Sequence, residues 1–253
     1  MAWKATGQPA IRKQRSPNDC SGPGPVNRRA CGAECSAPSR DLIETTELRW
    51  FEAGALPATL PSWFTRDSAH VRLEERTDLY RIDDRIDVGV KLRGRSTLEI
   101  KSRRSSNALE RSPIERDGVA DDGVLEVWWK WRPEDACMDH RSGMWVQVSK
   151  TILKRRFSID GDELTVSEPN DPPDRAFCDV EIVAIDVGVS ASWSFAMAAQ
   201  GPPSGRGASI AMAWRTLASV PPPAAWPSTF TISCGYPEWL ERRIDRNDSM
   251  IHR

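Results

Sequence analysis

Within the stretch GVKLRGRSTLEIKSR, residues 89–103, Lys91 and Arg93 sit two apart, and beyond a turn at Gly94–Ser96 the residues Glu99, Lys101 and Arg103 keep the same interval. Successive strand side chains point to opposite faces. These five ionic groups therefore share one face of a hairpin, and Val90, Leu92, Leu98 and Ile100 share the other. Arginine forks pair bidentately with phosphate oxygens, lysines add point charges, and carboxylates hold hard divalent cations. A face of this kind suits a polyphosphate and its metal, provided that other strands aim matching side chains at the same place.

The same spacing recurs along the chain. Glu47 and Arg49 alternate with Leu48 and Trp50; Arg76 and Asp78 lead into Tyr80; Glu126, Lys130 and Arg132 share a parity in VLEVWWKWR; Asp179 and Glu181 share one in FCDVEIVAIDV. Lys150 opens the basic run KTILKRRF. The opposite parity is apolar, with Val127, Trp129 and Trp131 in one segment and Val180, Ile182 and Ala184 in another. Two arrangements satisfy this pattern. In one, an open sheet buries its apolar face and leaves the ionic face solvated. In the other, the sheet closes and the ionic faces line a lumen, which at about eight strands holds one small ligand. Excess Arg and Lys with fewer carboxylates is costly to enclose without an anion, which favours a bound anion in the second arrangement.

The elements that must position these groups are mostly strands. Alternation predicts strands over 42–51, 76–84, 124–132, 144–166 (with a turn at Gly161), 177–187 and 190–201, besides the hairpin at 88–103. Prolines 57 and 61 suit a short helix or turn before Trp63. Residues 104–123 read as a loop and 201–207 as a Gly/Pro/Ser linker; helices are expected over 208–220, ended by Pro221–Pro223, and over 236–244. Short connections favour antiparallel pairing. The predicted class is α+β, predominantly antiparallel β, as a tunnel-like barrel of about eight strands with a few flanking helices.

Composition sets further bounds. The 253 residues carry a net charge of −1. Residues 1–40 hold Lys4, Arg12, Lys13, Arg15, Arg28, Arg29 and Arg40 against Asp19 and Glu34, with few large apolar residues, and are expected to be a disordered basic tail. The barrel domain is expected at 41–245 and a flexible tail at 246–253. No long apolar run or signal-like amino terminus is present, so the expected location is cytoplasmic, with no membrane partner. Six scattered cysteines, including Cys20, Cys31 and Cys35 in the tail, form no Cys-x-x-Cys pair and read as reduced thiols. GPPSGRG lacks the Lys-Ser/Thr ending of a phosphate loop. Of eleven tryptophans, Trp129 and Trp131 are expected under a helix, while Trp128, on the ionic parity, either stacks on a ligand ring or plugs a barrel mouth.

The order TELRWF, RTDLYRI, VKLRG, LEIKSR, EVWWKW, KRRF and DVEI, followed by a last hairpin and helix, resembles the CYTH superfamily, the triphosphate tunnel metalloenzymes, over roughly residues 42–245. The resemblance implies an eight-stranded antiparallel tunnel acting on triphosphates, including inorganic triphosphate, thiamine triphosphate, RNA 5′ ends and ATP, with Mg²⁺ or Mn²⁺. It implies that Glu47 and Glu181 are catalytic and hold the metal, with Glu126 or Glu99 as a further metal ligand. It also implies that Arg49, Lys91, Arg93, Lys101, Arg103, Lys130, Arg132 and Lys150 bind the phosphates. The family's Glu-x-Glu-x-Lys reads Thr45-x-Glu47-x-Arg49 here. The implied function is a divalent-metal-dependent hydrolase or phosphotransferase of a triphosphate or organic phosphate. The alternative is a non-catalytic protein of the same fold that binds an organic phosphate or nucleotide. A nucleic-acid partner is disfavoured, because such domains are strongly basic.

Overall fold

A computed structural model describes residues 42–66, 68–82, 85–94, 96–107, 115–116, 119–120, 123–133, 143–164, 175–227 and 230–251. The expected basic tail, Cys137 and residues 252–253 lie outside them. In chain order the strands are β1 (Ile43–Ala53), β2 (Arg72–Ile82), β3 (Val88–Arg93), β4 (Thr97–Asn107), β5 (Glu115–Arg116), β6 (Val119–Ala120), β7 (Leu125–Trp131), β8 (Met144–Ser158), β9 (Glu163–Leu164), β10 (Phe177–Val187), β11 (Ser190–Gln200) and β12 (Ile232–Ser233). The helices are α1 (Thr59–Phe64), α2 (Pro203–Ala218) and α3 (Tyr236–Ile251).

Eight strands close into an antiparallel barrel in the order β10-β11-β1-β7-β4-β3-β2-β8, with β8 pairing back to β10 from Ser149↔Asp186 to Phe177↔Ser158. The short strands β9 and β12 add to its edges, and β5 and β6 form a separate hairpin inside the segment expected to be a loop. Closure leaves no long open edge in the ring.

The alternating sequence decides which face turns inward. Outward-facing Leu48, Trp50, Val180, Ile182, Phe195 and Met197 pack beneath Ile210, Ala213, Trp214 and Leu217 of α2, together with Leu60, Trp63 and Phe64 of α1 and Trp226 of the following segment. The main apolar core is therefore outside the barrel. Full burial of each large side chain there is worth about 1.5–3 kcal/mol. The α2 residues recur at helical spacing, which gives the helix one apolar face. This helix starts earlier than its sequence suggests, because Pro203 fits the first turn, where no backbone N–H bond is needed, and the supposed linker is helical from there. Arg206, in that first part, bonds the Gly201 carbonyl and pairs with Glu44.

A second apolar cluster fills one end of the barrel. Phe51, Tyr80, Val148, Ile152, Val183 and Ile185 point inward and meet Trp239 and Leu240 of α3. Phe51 stacks on Trp239 at 4.5 Å. The helix α3 continues to Ile251, beyond the expected 244, with a Glu238–Arg242 pair in its first turns. Trp129 and Trp131 face outward but only half-buried, away from the strands that α2 covers; Trp129 instead donates to Glu44 and stacks under Arg104. Among the described residues no helix is long and apolar enough to cross a membrane.

Candidate functional site

The inward face of the barrel is ionic over the part that the apolar plug leaves open. A cavity of about 160 Å³ is lined by Arg49, Arg72, Arg76, Lys91, Arg93, Lys101, Lys130, Arg132, Lys150, Lys154 and Arg156, against Glu47, Glu74, Glu99, Asp179 and Glu181. Eleven cations thus face five carboxylates. The strand register explains the convergence. Lys91 lies opposite Glu99, Lys101 opposite Lys130, Glu181 opposite Lys154, and Asp179 opposite Arg156. Room for a ligand comes from β11, whose inward positions are the small residues Ser192, Ser194, Ala196 and Ala198, followed by Gln200.

The lining is graded along the barrel axis. Arg72, Arg93, Arg132 and Arg156 stand at strand ends around the mouth, beside Ile43 and Gln200. Glu47, Lys101, Lys130, Lys154 and Glu181 form the wall. Arg49, Lys150, Tyr80 and Tyr236 form the floor, with Lys150 Nζ 2.6 Å from the Tyr80 hydroxyl, 3.2 Å from Asp78 and 3.9 Å from the centre of the Tyr236 ring. Tyr236 opens α3, and its buried hydroxyl makes no hydrogen bond of normal geometry among the described residues.

Ion pairs organise the wall. Lys101 Nζ donates to both oxygens of Glu47, at 2.7 and 3.0 Å, and the Thr45 hydroxyl donates to the same carboxylate at 2.8 Å. Burial pushes the Glu47 carboxyl up, but Lys101, Lys130 and Arg49 outweigh it and hold the group down at about 2. Glu181 lies between Lys154 at 2.8 Å and Arg49 at 3.3 Å, which against the effect of burial keep it well below the carboxylate range. Burial lowers Lys154, yet Glu181 and Asp179 raise it further. Arg156 grips Asp179 with two donors, at 2.7 and 3.0 Å. Glu99 accepts from Lys91 at 2.8 Å and from Arg132 at 3.3 Å.

Lys130 differs from its neighbours, since no carboxylate lies within ion-pair distance of its ammonium among the described residues. Burial, and after it the charge of Lys101, lowers Lys130 from 10.5 to about 8 despite the more distant Glu47 and Glu99. Lys150 is lowered too, chiefly by burial.

The structure brings Glu47, Arg49, Lys91, Arg93, Lys101, Lys130, Arg132, Lys150 and Glu181 to one cavity. It does not bring Arg103 and Glu126 there. Both have the inward parity, but they lie behind the α3 end of the barrel, where Arg103 bonds Glu126 at 2.7 Å and Glu238 at 3.1 Å. The other Glu126 oxygen accepts from Trp128 Nε1 at 2.9 Å, and burial raises this carboxyl. Trp128, buried on the ionic parity, separates the two regions: it plugs the barrel. Gly235 lets the start of α3 settle on it, because a Cβ there would lie 2.7 Å from the Trp128 ring and 3.1 Å from Glu126. Gly89 likewise admits Pro237 of α3, with 2.9 Å to a hypothetical Cβ.

Sequence reasoning left out Lys154, Arg156, Arg72, Glu74 and Tyr236 as site residues. Lys154 and Arg156 could have been found by continuing the parity of Lys150 through Ile152, which is inward-facing but apolar because it belongs to the plug. Arg155 of the same run faces outward, pairing with Glu163 at 2.8 Å and with the Phe64 carbonyl at 3.0 Å. Arg72 and Glu74 precede the expected start of β2. Tyr236 had no local signal.

The cavity can hold a compact, multiply charged anion. The residues fit a resident divalent metal less well. Glu47, Glu181 and Glu99 line the cavity with their oxygens engaged by cations, Glu126 is behind the plug, and among the described residues no three or more His, Cys, Asp or Glu are grouped to hold a metal.

No family model and no curated protein matches the chain. Among solved structures, the S. pombe Pct1 RNA triphosphatase in complex with the Spt5 CTD is similar at 6% identity over 85% of this chain and 86% of that one, with a TM-score of 0.32.

Proposed function

We propose that the barrel is a binding tunnel for a triphosphate or an organic phosphate, of the kind that the CYTH resemblance implies. The observation that carries this reading is the convergence of eleven basic side chains on one cavity with only five carboxylates among them. An excess of cations inside a small lumen is unfavourable unless an anion offsets it, and the lowered pKa of Lys130 is in keeping with that cost. Arg156 at the mouth is held two-pronged by Asp179; the other mouth arginines suit bidentate contact with phosphate oxygens, and the wall lysines suit point-charge contact deeper in. The four arginines would also draw a polyanion in from solution, an effect that salt screens.

Binding is favoured over metal-assisted hydrolysis by the donor set. Of the two carboxylates expected as a further metal ligand, Glu126 is held by Arg103 and Trp128 away from the cavity and Glu99, which lines it, is taken up by Lys91 and Arg132; Thr45 replaces the first carboxylate of the family pattern. The test is a thermal-shift panel on the full chain with inorganic triphosphate, ATP, orthophosphate and sulfate. A ligand at a hundredfold excess over its Kd adds about 2.7 kcal/mol, which raises the melting temperature by several degrees. Triphosphates should stabilise far more than orthophosphate or sulfate at matched ionic strength. Equal shifts for all four, or none, would reject the tunnel as a polyphosphate site.

A further inference from the structure

Each carboxylate that lines the cavity already has a cation from the lumen itself. Glu47 holds Lys101 at 2.7 Å, Glu181 holds Lys154 and Arg49, Asp179 holds Arg156, and Glu99 holds Lys91 and Arg132. Glu74 accepts from Arg76 at 2.6 Å. A Mg²⁺ ion needs near-octahedral oxygen ligands and gives up water reluctantly, so it would have to displace ammonium and guanidinium groups from these contacts. Those same groups already supply positive charge within the cavity. The charges are also anchored in fixed positions, which a phosphate chain can meet without reorganising them.

We infer that the tunnel binds its phosphate ligand without a divalent metal, and that Glu47 and Glu181 act as positioning residues that hold Lys101, Lys154 and Arg49 toward the ligand. This rests on the phosphate-binding reading above. It has a consequence opposite in sign to metal ligation. Glu47→Gln keeps one side-chain oxygen to accept from Lys101 and so preserves its placement, while it removes a negative charge and leaves the anion more net positive charge to meet; affinity therefore holds or increases. A metal-ligating Glu47 would lose affinity on the same change.

The experiment has two arms on the full chain. Inorganic triphosphate is titrated calorimetrically in EDTA and again in Mg²⁺, for the natural sequence and for Glu47→Gln; separately, Mn²⁺ alone is followed by electron paramagnetic resonance. Because Mg²⁺ complexes triphosphate in solution, the expected dissociation constant in EDTA is no larger than that in Mg²⁺; Glu47→Gln binds at least as tightly in both, and the free Mn²⁺ signal is unchanged by protein. Binding tenfold or more weaker in EDTA, or a Mn²⁺ site that Glu47→Gln removes, overturns metal independence and leaves the phosphate reading standing. No triphosphate binding in either medium overturns the phosphate reading, and this inference with it. Should Glu47→Gln fail to fold, the natural sequence in EDTA and its Mn²⁺ spectrum decide the matter alone.

Discussion

Lys130 offers a test that needs no ligand. Its ammonium sits in the cavity wall opposite Lys101, without a carboxylate in ion-pair reach among the described residues, and its pKa falls from 10.5 to about 8. A folded pKa below the unfolded one means that the charged form costs stability. The cost is complete below pH 8, shrinks as pH rises from 8 to 10.5, and is gone above 10.5. At 1.36 kcal/mol per pKa unit its ceiling is on the order of 3 kcal/mol, and partial solvent access brings the expected value nearer ~1–2 kcal/mol. Lys130→Met keeps the length of the side chain and removes the charge. Urea unfolding should therefore show the variant more stable than the natural sequence by ~1–2 kcal/mol at pH 7, with the gap falling by about half at pH 9.5. The same variant should lose most of its triphosphate affinity. A variant less stable at pH 7, or a gap that does not change with pH, would show that this cation is compensated in the free protein and would remove the main electrostatic argument for an anion site.

Other outcomes follow from single contacts. Glu47, held at about 2 by Lys101, Lys130 and Arg49 against burial, contributes stability above its unfolded pKa that is lost as pH falls toward 2; Glu47→Gln should flatten the acid limb of the stability curve. Asp179→Ala removes the two-pronged acceptor of Arg156 and a contact of Lys154, and chemical denaturation should register a loss of about 1.5–3 kcal/mol. Gly235→Ala forces a Cβ to within 2.7 Å of the Trp128 ring; a loss of about 1–3 kcal/mol, with faster hydrogen exchange in α3, is expected.

The barrel was legible because its alternation is strict and repeated. In β3 and β4, Lys91, Arg93, Glu99 and Lys101 share one parity while Leu92 and Leu98 share the other, and the cross-strand register then places the ionic set on one side. What periodicity cannot give is depth along the barrel axis. Arg103 and Glu126 obey the same parity as Lys101 and Lys130, yet a plug that includes Tyr236 and Pro237, more than a hundred residues later in the sequence, cuts them off from the cavity. The helix that closes the floor had to be docked before those two residues could be excluded. Ile152 shows the same limit from the other side: it is an apolar residue on an ionic parity because it faces the plug, and Lys154 and Arg156 resume the lining beyond it. The start of α2 was hidden by its Pro, Ser and Gly content, which resembles a linker until Pro203 is recognised as a first-turn residue.

Calorimetric titration of inorganic triphosphate into the full chain at low ionic strength tests the central claim most directly. A saturable one-to-one isotherm is predicted, weakened steeply by added salt and abolished by replacing Lys101 and Lys130 with Met in a protein that still unfolds cooperatively. An absence of binding heat at several temperatures, or an isotherm that survives the loss of both lysines, would contradict the assignment of the charged lumen as a phosphate site.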